Sequence, residues 1–328
     1  MSVTAATRFS DLSASPIRPL SQTEVKSVLS DLKDWGREHP AIAKLLGEEG
    51  PLKDFIVAAF TVSPYLRDTA RIDPRLLARA LEEPILPAIE AAIARARAAW
   101  KADEGEVTEA ALMTRLRVAK REVAFLTALA DLARIFDARR TTALLTALAE
   151  AATSAAIDHL LLSAHQSGKL RLPDPGHPSA DSGLIVLGMG KLGAAELNYS
   201  SDIDLVVFFD PMADIAVDPS EAVETFSRLV RRLIRIMQER TADGYVFRTD
   251  LRLRPDPGAT PLAISFDSAM LYYEGRGQNW ERAAFIKAKP VAGDLKAGEA
   301  FLKGLVPFVF RKYLDYAAIA DIHSIKRQ

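Results

Sequence analysis

The feature that most constrains the fold is a stretch at residues 183–210, in which two apolar runs flank a glycine-rich segment. Residues 184–187 have the length and composition of a buried strand, and residues 203–209 form a second run of β-branched and aromatic residues. The glycines within residues 188–193 allow a left-handed backbone and a close approach to the N–H groups. Residues 194–197 are helix formers. The stretch therefore predicts a strand, a glycine turn, a short helix and a second strand.

Two carboxylates stand at the start of the second predicted strand. Asp202 and Asp204 are separated by one residue, so their side chains point to the same face of a strand. Like charges side by side repel, and burying them next to an apolar strand is costly. A divalent cation held between them would remove both penalties. The pair therefore predicts a metal site.

An alternative interpretation is a dinucleotide-binding turn. The glycines at 188, 190 and 193 match G-x-G-x-x-G after a strand, and Asp210 stands about where a ribose-binding acid is expected. A parallel crossover, however, needs about a dozen residues and a full helix. Only nine residues separate Gly193 from Ile203, and this interpretation leaves the two aspartates unexplained. We therefore reject it.

A glycine turn followed by Asp-x-Asp on the next strand is typical of the nucleotidyltransferase superfamily. Three motifs make the match closer: GMGKLGAAELNYSSDIDL from residue 188, DLRLRP at residues 250–255 and NWERAAFIKAK at residues 279–289. Together they resemble the bacterial bifunctional glutamine synthetase adenylyltransferase/adenylyl-removing enzyme family. Lys191 departs from the superfamily, which usually has Ser or Gly there.

The resemblance implies a function. That family carries two nucleotidyltransferase copies, and the run ELNYSSDID ending at Asp204 resembles the N-terminal copy. This copy removes AMP from an adenylylated tyrosine of glutamine synthetase with inorganic phosphate, which yields ADP and active enzyme and serves nitrogen regulation. The implied partners are adenylylated glutamine synthetase, the PII signalling protein, phosphate and an adenine nucleotide such as ATP. Two alternatives stay open: adenylylation of a protein tyrosine from ATP, and a catalytically inactive regulatory module.

A third strand is predicted at residues 245–254, where odd positions are mostly apolar and even positions charged. Asp250 on its charged face is the natural third carboxylate beside Asp202 and Asp204. Arg252 and Arg254 can hold phosphate through bidentate contacts. The alternative is an exposed sheet face with Asp–Arg pairs.

These interpretations define a candidate site. Three carboxylates suit two Mg²⁺ ions, or Mn²⁺ in their place. The catalytic and metal-binding candidates are Asp202, Asp204 and Asp250. The nucleotide- and phosphate-binding candidates are Gly188, Gly190, Lys191, Gly193, Ser200, Ser201, Arg252 and Arg254. The two serines can equally serve in turns. In the third motif, Lys287 and Lys289 are weaker phosphate candidates, and Trp280 is expected in the core.

The predicted fold class is α+β, mainly α, because no strand-like alternation occurs before residue 183. A helical region precedes a small mixed sheet of nucleotidyltransferase type with flanking helices, and further helices follow. The predicted domains are a flexible arm at 1–20, a helical domain at 21–180, a catalytic core at 181–293 and C-terminal helices at 294–328. The last predicted helix, residues 311–328, lacks a stop signal, so we expect a longer natural chain.

A basic cluster lies within one predicted helix and includes Arg117 and Arg121, one turn apart. The plain interpretation is a solvated helix face. The functional one is that both arginines face the Asp202/Asp204 cleft, with the helical domain overhanging it.

Composition narrows the function classes. The 328 residues carry a net charge of −1, which gives no indication of a nucleic acid or membrane partner. There is no cysteine, and the five histidines lack ligand spacing, so no disulfide or zinc site is predicted. No run of 18 apolar residues occurs, and we expect a cytoplasmic protein.

Overall fold

Helices begin where the sequence places caps and prolines. The Ser21 hydroxyl accepts the Glu24 N–H at 3.2 Å and so caps the first helix, and prolines open the second, third and fourth. In the computed structural model, which describes residues 4, 6–102 and 105–310, a short 3₁₀ turn (Phe9–Asp11) precedes eight helices. They are α1 (Gln22–Gly36), α2 (Pro40–Gly47), α3 (Pro51–Val62), α4 (Pro64–Ile72), α5 (Arg75–Glu82), α6 (Ile85–Arg97), α7 (Glu109–Leu132) and α8 (Ala138–Gln166).

The chain divides into two compact units that interleave along the sequence. One comprises Met1–Ala96 with Val118–Leu148, and the other Arg97–Arg117 with Ala149–Gln328. The chain passes from one unit to the other within α6, α7 and α8. The domain boundaries drawn from the sequence stay a prediction.

Helix α8 is 29 residues long and apolar enough to cross a membrane by length and composition alone. Its most apolar window is 78% buried within the protein, and buried core helices satisfy the same criteria. It is weak evidence for a membrane span, and the cytoplasmic location stays a prediction.

The second unit holds a five-stranded mixed sheet. Its strands are β1 (Leu184–Gly188), β2 (Ile203–Phe209), β3 (Thr249–Asp250), β4 (Ala263–Ser265) and β5 (Lys289–Gly293). Strand β1 pairs antiparallel with β2 and β5, while β3 and β4 pair parallel with the first and last parts of β2. Both central strands are almost wholly buried, as their apolar runs predict.

The remaining helices flank this sheet along the chain. They are α9 (Gly190–Gly193), α10 (Ala222–Gln238), α11 (Phe266–Gly275), α12 (Asn279–Phe285) and α13 (Leu295–Val309). A 3₁₀ turn, Pro219–Glu221, leads into α10, and the Asp218 side chain caps it by accepting the Ser220 N–H. The ring of Phe226 on α10 stacks on Phe209 of β2, with centroids 4.7 Å apart. The α+β, mainly α architecture with a small mixed sheet is confirmed.

Two local predictions are wrong. The third strand covers only Thr249–Asp250, because the Asp250 carboxylate accepts the backbone N–H of Arg252 at 2.8 Å and turns the chain. The short helix occupies Gly190–Gly193 instead of residues 194–197, because Ala195 takes a left-handed backbone with a φ of 58° and the helix cannot continue through it. Strands β4 and β5 were not predicted. The expected helix at residues 311–328 lies outside the described residues.

Candidate functional site

The glycine turn lies against the Asp-x-Asp strand. The Met189 N–H donates to the Asp204 carbonyl at 2.9 Å, and Gly190 takes a φ of +53°. A Cβ on Gly190 would lie 2.9 Å from the Asp204 carboxylate, closer than real Cβ contacts allow. Glycine is therefore required here both by the backbone conformation and by the approach of the aspartate.

The second aspartate of the pair has a direct neighbour on the next strand. Ile203 pairs with Thr249 and Asp204 with Asp250 in the parallel register of β2 and β3. Asp202 immediately precedes β2, so the structure brings the region of all three predicted carboxylates together at one end of two adjacent strands.

The charges at this end of the sheet perturb one another. Burial raises the pKa of Asp204, and the negative charges of Asp250 and Asp202 raise it further. Hydrogen bonds from Arg252 lower the pKa of Asp250. Asp250 therefore loses its proton at a lower pH than Asp204, whose ionised form is disfavoured by burial and by the neighbouring negative charges.

Arginines hold the two outer carboxylates. The Arg252 Nε donates to both oxygens of Asp250, at 2.8 and 3.1 Å. The Arg248 Nε donates to Asp202, and its Nη2 donates to the Ser200 carbonyl at 2.8 Å. No hydrogen-bond donor reaches the Asp204 side chain in the part of the chain that the structure describes.

Arg254 has different surroundings from Arg252. Its amino groups donate to the carbonyls of Leu251 and Pro257, at 2.9 and 2.7 Å, within its own loop. Burial lowers its pKa, and its Nε is buried with no partner among the described atoms. A phosphate-binding role for Arg254 stays a prediction. The prediction assumed that Arg254 and Asp250 lie on one face of a strand, but β3 ends at Asp250.

The other predicted residues are close to this site along the chain. Lys191 is exposed on α9, and its charge acts to lower the pKa of Asp204. The Ser201 N–H donates to the Asn198 carbonyl at 3.2 Å, in the turn before β2. Gly188 ends β1, and Gly193 ends α9. Phosphate contacts by the glycine turn, Lys191, Ser200 and Ser201 stay predictions.

The third motif is mainly structural. Glu281 and Arg282 are buried, and the Arg282 Nε donates to the Phe308 carbonyl at 2.9 Å. Lys287 and Lys289 form ion pairs with glutamates at 2.8 and 2.7 Å. Trp280 is 41% exposed, so its expected place in the core is wrong.

Arg117 does not face the site. It is 1% exposed, and its guanidinium donates to the carbonyls of Met113, Glu239 and Gly244. The predicted role of Arg117 in the cleft is therefore wrong, because its charge is buried against backbone carbonyls. Arg121 belongs to the other compact unit.

Sequence reasoning missed one site residue, Arg248. It stands on the charged face of residues 245–254, and that alternation was the signal. Its partner Asp202 lies 46 residues earlier, and one sequence does not reveal such a pairing.

The donor chemistry fits a divalent cation. Carboxylate oxygens are the ligands that Mg²⁺ and Mn²⁺ favour, and a cation would relieve the repulsion that raises the pKa of Asp204. Within the described ranges, however, no group of three acidic or histidine side chains is arranged to hold a metal ion. Mg²⁺ binding stays a proposal.

Comparison with known proteins assigns the family. The family model described as glutamate-ammonia ligase adenylyltransferase matches residues 54–304, most of the chain. The chain belongs to this family.

The bifunctional glutamine synthetase adenylyltransferase/adenylyl-removing enzyme of Agrobacterium fabrum (strain C58) is 66% identical over 326 residues, which is 99% of this chain and 33% of that protein. The protein of the same name from Rhizobium meliloti (strain 1021) is 64% identical over 322 residues, 98% of this chain and 33% of its own length. This member of the adenylyltransferase family thus spans about a third of the length of the curated relatives it matches.

Proposed function

We propose that this chain is a nucleotidyltransferase that removes AMP from an adenylylated tyrosine of glutamine synthetase by phosphorolysis. The observation that carries the proposal is the register of Asp204 beside Asp250, next to the glycine turn, in a chain of this family. The names of the relatives include both an adenylyltransferase and an adenylyl-removing activity. The run ending at Asp204 resembles the copy that removes AMP, and this favours the removing direction.

In the proposed reaction, a phosphate oxygen attacks the phosphorus of the tyrosine-bound AMP. A new P–O bond forms, the bond to the tyrosine oxygen breaks, and the released phenolate takes up a proton. The products are ADP and unmodified glutamine synthetase. Catalysis of this kind depends on positioning and on neutralising charge.

Different residues of the chain would bind the metal ion and the phosphate group in this reaction. Asp202, Asp204 and Asp250 would hold Mg²⁺ or Mn²⁺, which supplies charge neutralisation for the reacting phosphates when bound. The N–H groups of the glycine turn would orient a phosphate group. Arg252 is 85% exposed at its side chain and would add a cation beside Asp250.

The test is to incubate adenylylated glutamine synthetase with this chain, Mg²⁺ and inorganic phosphate, and to identify the nucleotide released. We expect ADP, formed only when phosphate and the metal are both present. Asp204→Asn should abolish release, because the central carboxylate loses its charge. Asp214→Asn is the matched control, since Asp214 is exposed and its left-handed backbone (φ 49°) suits Asn.

The opposite direction is the second candidate, because the relatives' names include it. Incubation of unmodified glutamine synthetase with ATP would then give pyrophosphate and adenylylated protein. Pyrophosphate without any ADP release would replace the proposed function with this one. The PII signalling protein belongs to the proposal as an expected regulatory partner.

A further inference from the structure

Arginines make up half of the residues that line a recess in the second unit. It lies between the C-terminal end of α10 and the segment that leads into β3, and its volume is about 520 Å³. The charged and aromatic lining residues are Arg231, Arg235, Arg240, Arg248, Tyr245 and Glu239. The lining thus contains four arginines and one glutamate, and the volume lies within the range of small-molecule sites, about 300–1,000 Å³.

The arginines are only partly neutralised. Arg231 pairs with Glu224 at 2.6 Å, and Arg235 pairs with Glu239 at 2.8 Å and with Glu109 at 3.8 Å. Arg248 pairs with Asp202. Arg240 lies over the Tyr245 ring, 5.6 Å from its centroid, and no carboxylate among the described residues lies within ion-pair distance of it. The positive charge available to a ligand in the recess therefore comes first from Arg240.

The chemistry of the lining selects an oxyanion. Guanidinium groups offer planar pairs of N–H donors that match the oxygens of phosphate and bind them by charge-assisted hydrogen bonds. An apolar ligand would have to desolvate several charged groups in this recess, which is costly.

Arg248 connects the recess to the aspartate site. It lines the recess, and it also donates to the Asp202 carboxylate and to the Ser200 carbonyl. With this contact in place, Asp202 is neutralised by an arginine. An anion in the recess would compete with Asp202 for the same guanidinium.

We propose that the recess binds inorganic phosphate and that bound phosphate draws Arg248 away from Asp202, which raises the affinity of the aspartate site for a divalent cation. By linkage, the cation raises the affinity for phosphate by the same factor. The proposal of a phosphate site depends only on the recess, whereas the proposed coupling to the metal rests on the proposed function.

The first experiment measures phosphate binding to the whole chain by titration calorimetry. Arg240→Gln and Arg235→Gln should each weaken binding roughly tenfold, the expected effect of losing a charge-assisted hydrogen bond. Arg228→Gln is the matched control, because Arg228 is on the same helix, is exposed and does not line the recess. Thermal melts of all three variants check that they fold.

The result that overturns the phosphate site is an absence of binding, or equal weakening in Arg228→Gln and Arg240→Gln. A titration with ADP tests the source of the phosphate group. Tighter binding of ADP than of phosphate, lost in Arg240→Gln, would assign the recess to a nucleotide and overturn the inorganic-phosphate assignment.

The second experiment measures Mn²⁺ binding by electron paramagnetic resonance, with and without phosphate. Phosphate should tighten Mn²⁺ binding in the unaltered chain and in Arg228→Gln, but not in Arg240→Gln. Arg248→Gln should bind Mn²⁺ more tightly without phosphate, since Asp202 has lost its arginine. Mn²⁺ affinity that is independent of phosphate in every variant would refute the coupling. Phosphate binding without any AMP removal would contradict the proposed function but would not contradict the phosphate site.

Discussion

Substituting Gly193 with alanine tests how closely the glycine turn packs. A Cβ at this position would lie 1.9 Å from the Lys287 carbonyl oxygen and 2.5 Å from that of Gly188. Both are backbone atoms, so no side-chain rotation can relieve the overlap. The turn and the segment at the end of the third motif would have to separate.

The size of the effect follows from these distances. Ordinary contact begins near 3.4 Å, so the Lys287 carbonyl must move by about 1.5 Å (3.4 − 1.9). Overpacking of this kind costs about 1–3 kcal/mol in free energy of unfolding. At about 2–4 °C per kcal/mol for a unit of this size, the melting temperature should fall by roughly 2–12 °C.

Thermal melts of Gly193→Ala and Gly275→Ala provide the comparison. Gly275 ends α11 with no neighbouring heavy atom within 4 Å of an added Cβ, so its alanine variant should be neutral or slightly stabilised. AMP removal should also decline in Gly193→Ala alone, because the turn contacts Asp204. Equal melting temperatures for the two variants would refute the packing argument.

Three further predictions concern charges. Mg²⁺ or Mn²⁺ should raise the melting temperature of the chain by relieving repulsion at Asp204, and scanning fluorimetry should show this shift lost in Asp204→Asn but kept in Asp214→Asn. Folding raises the pKa of Asp204, so the folded metal-free chain binds a proton more readily than the unfolded chain does. Its free energy of unfolding should therefore fall as pH rises from the unfolded pKa of Asp204 through the folded one. Urea titrations across that pH range should show a smaller fall in Asp204→Asn. Arg117→Met should cost about 2–5 kcal/mol in urea unfolding, since the carbonyls of Met113, Glu239 and Gly244 lose the donor that the buried guanidinium supplies; a loss below about 0.5 kcal/mol would show that water replaces it.

Local signals in the sequence predicted much of the fold. Ser21 and Asp218 are residue types that favour helix caps, and their side chains accept the N–H groups of Glu24 and Ser220. The apolar runs of β1 and β2 are long enough to be recognised as strands. Strand β4 has three residues, and β5 begins with Lys289 and Pro290, so neither shows a period. Their pairing depends on contacts that are distant along the chain.

The site could be predicted only in part, because local motifs mark some of its residues and not the pairings between distant ones. Asp202, Asp204 and Asp250 follow from the motifs, and Arg252 lies two residues from the aspartate it holds. The pairing of Arg248 with Asp202 is non-local, and the local pattern does not specify it. The alternation at residues 245–254 suggested a long strand, but the Asp250 side chain forms a turn that ends it.

The most direct test of the central proposal follows radiolabelled inorganic phosphate during AMP removal. Adenylylated glutamine synthetase, Mg²⁺ and this chain of 328 residues are combined with the label, and the nucleotides are separated. The proposal predicts that the label appears in the β-phosphate of ADP, in step with the loss of AMP from the enzyme. Release of unlabelled AMP would show hydrolysis instead, and would contradict attack by phosphate at the Asp204 site.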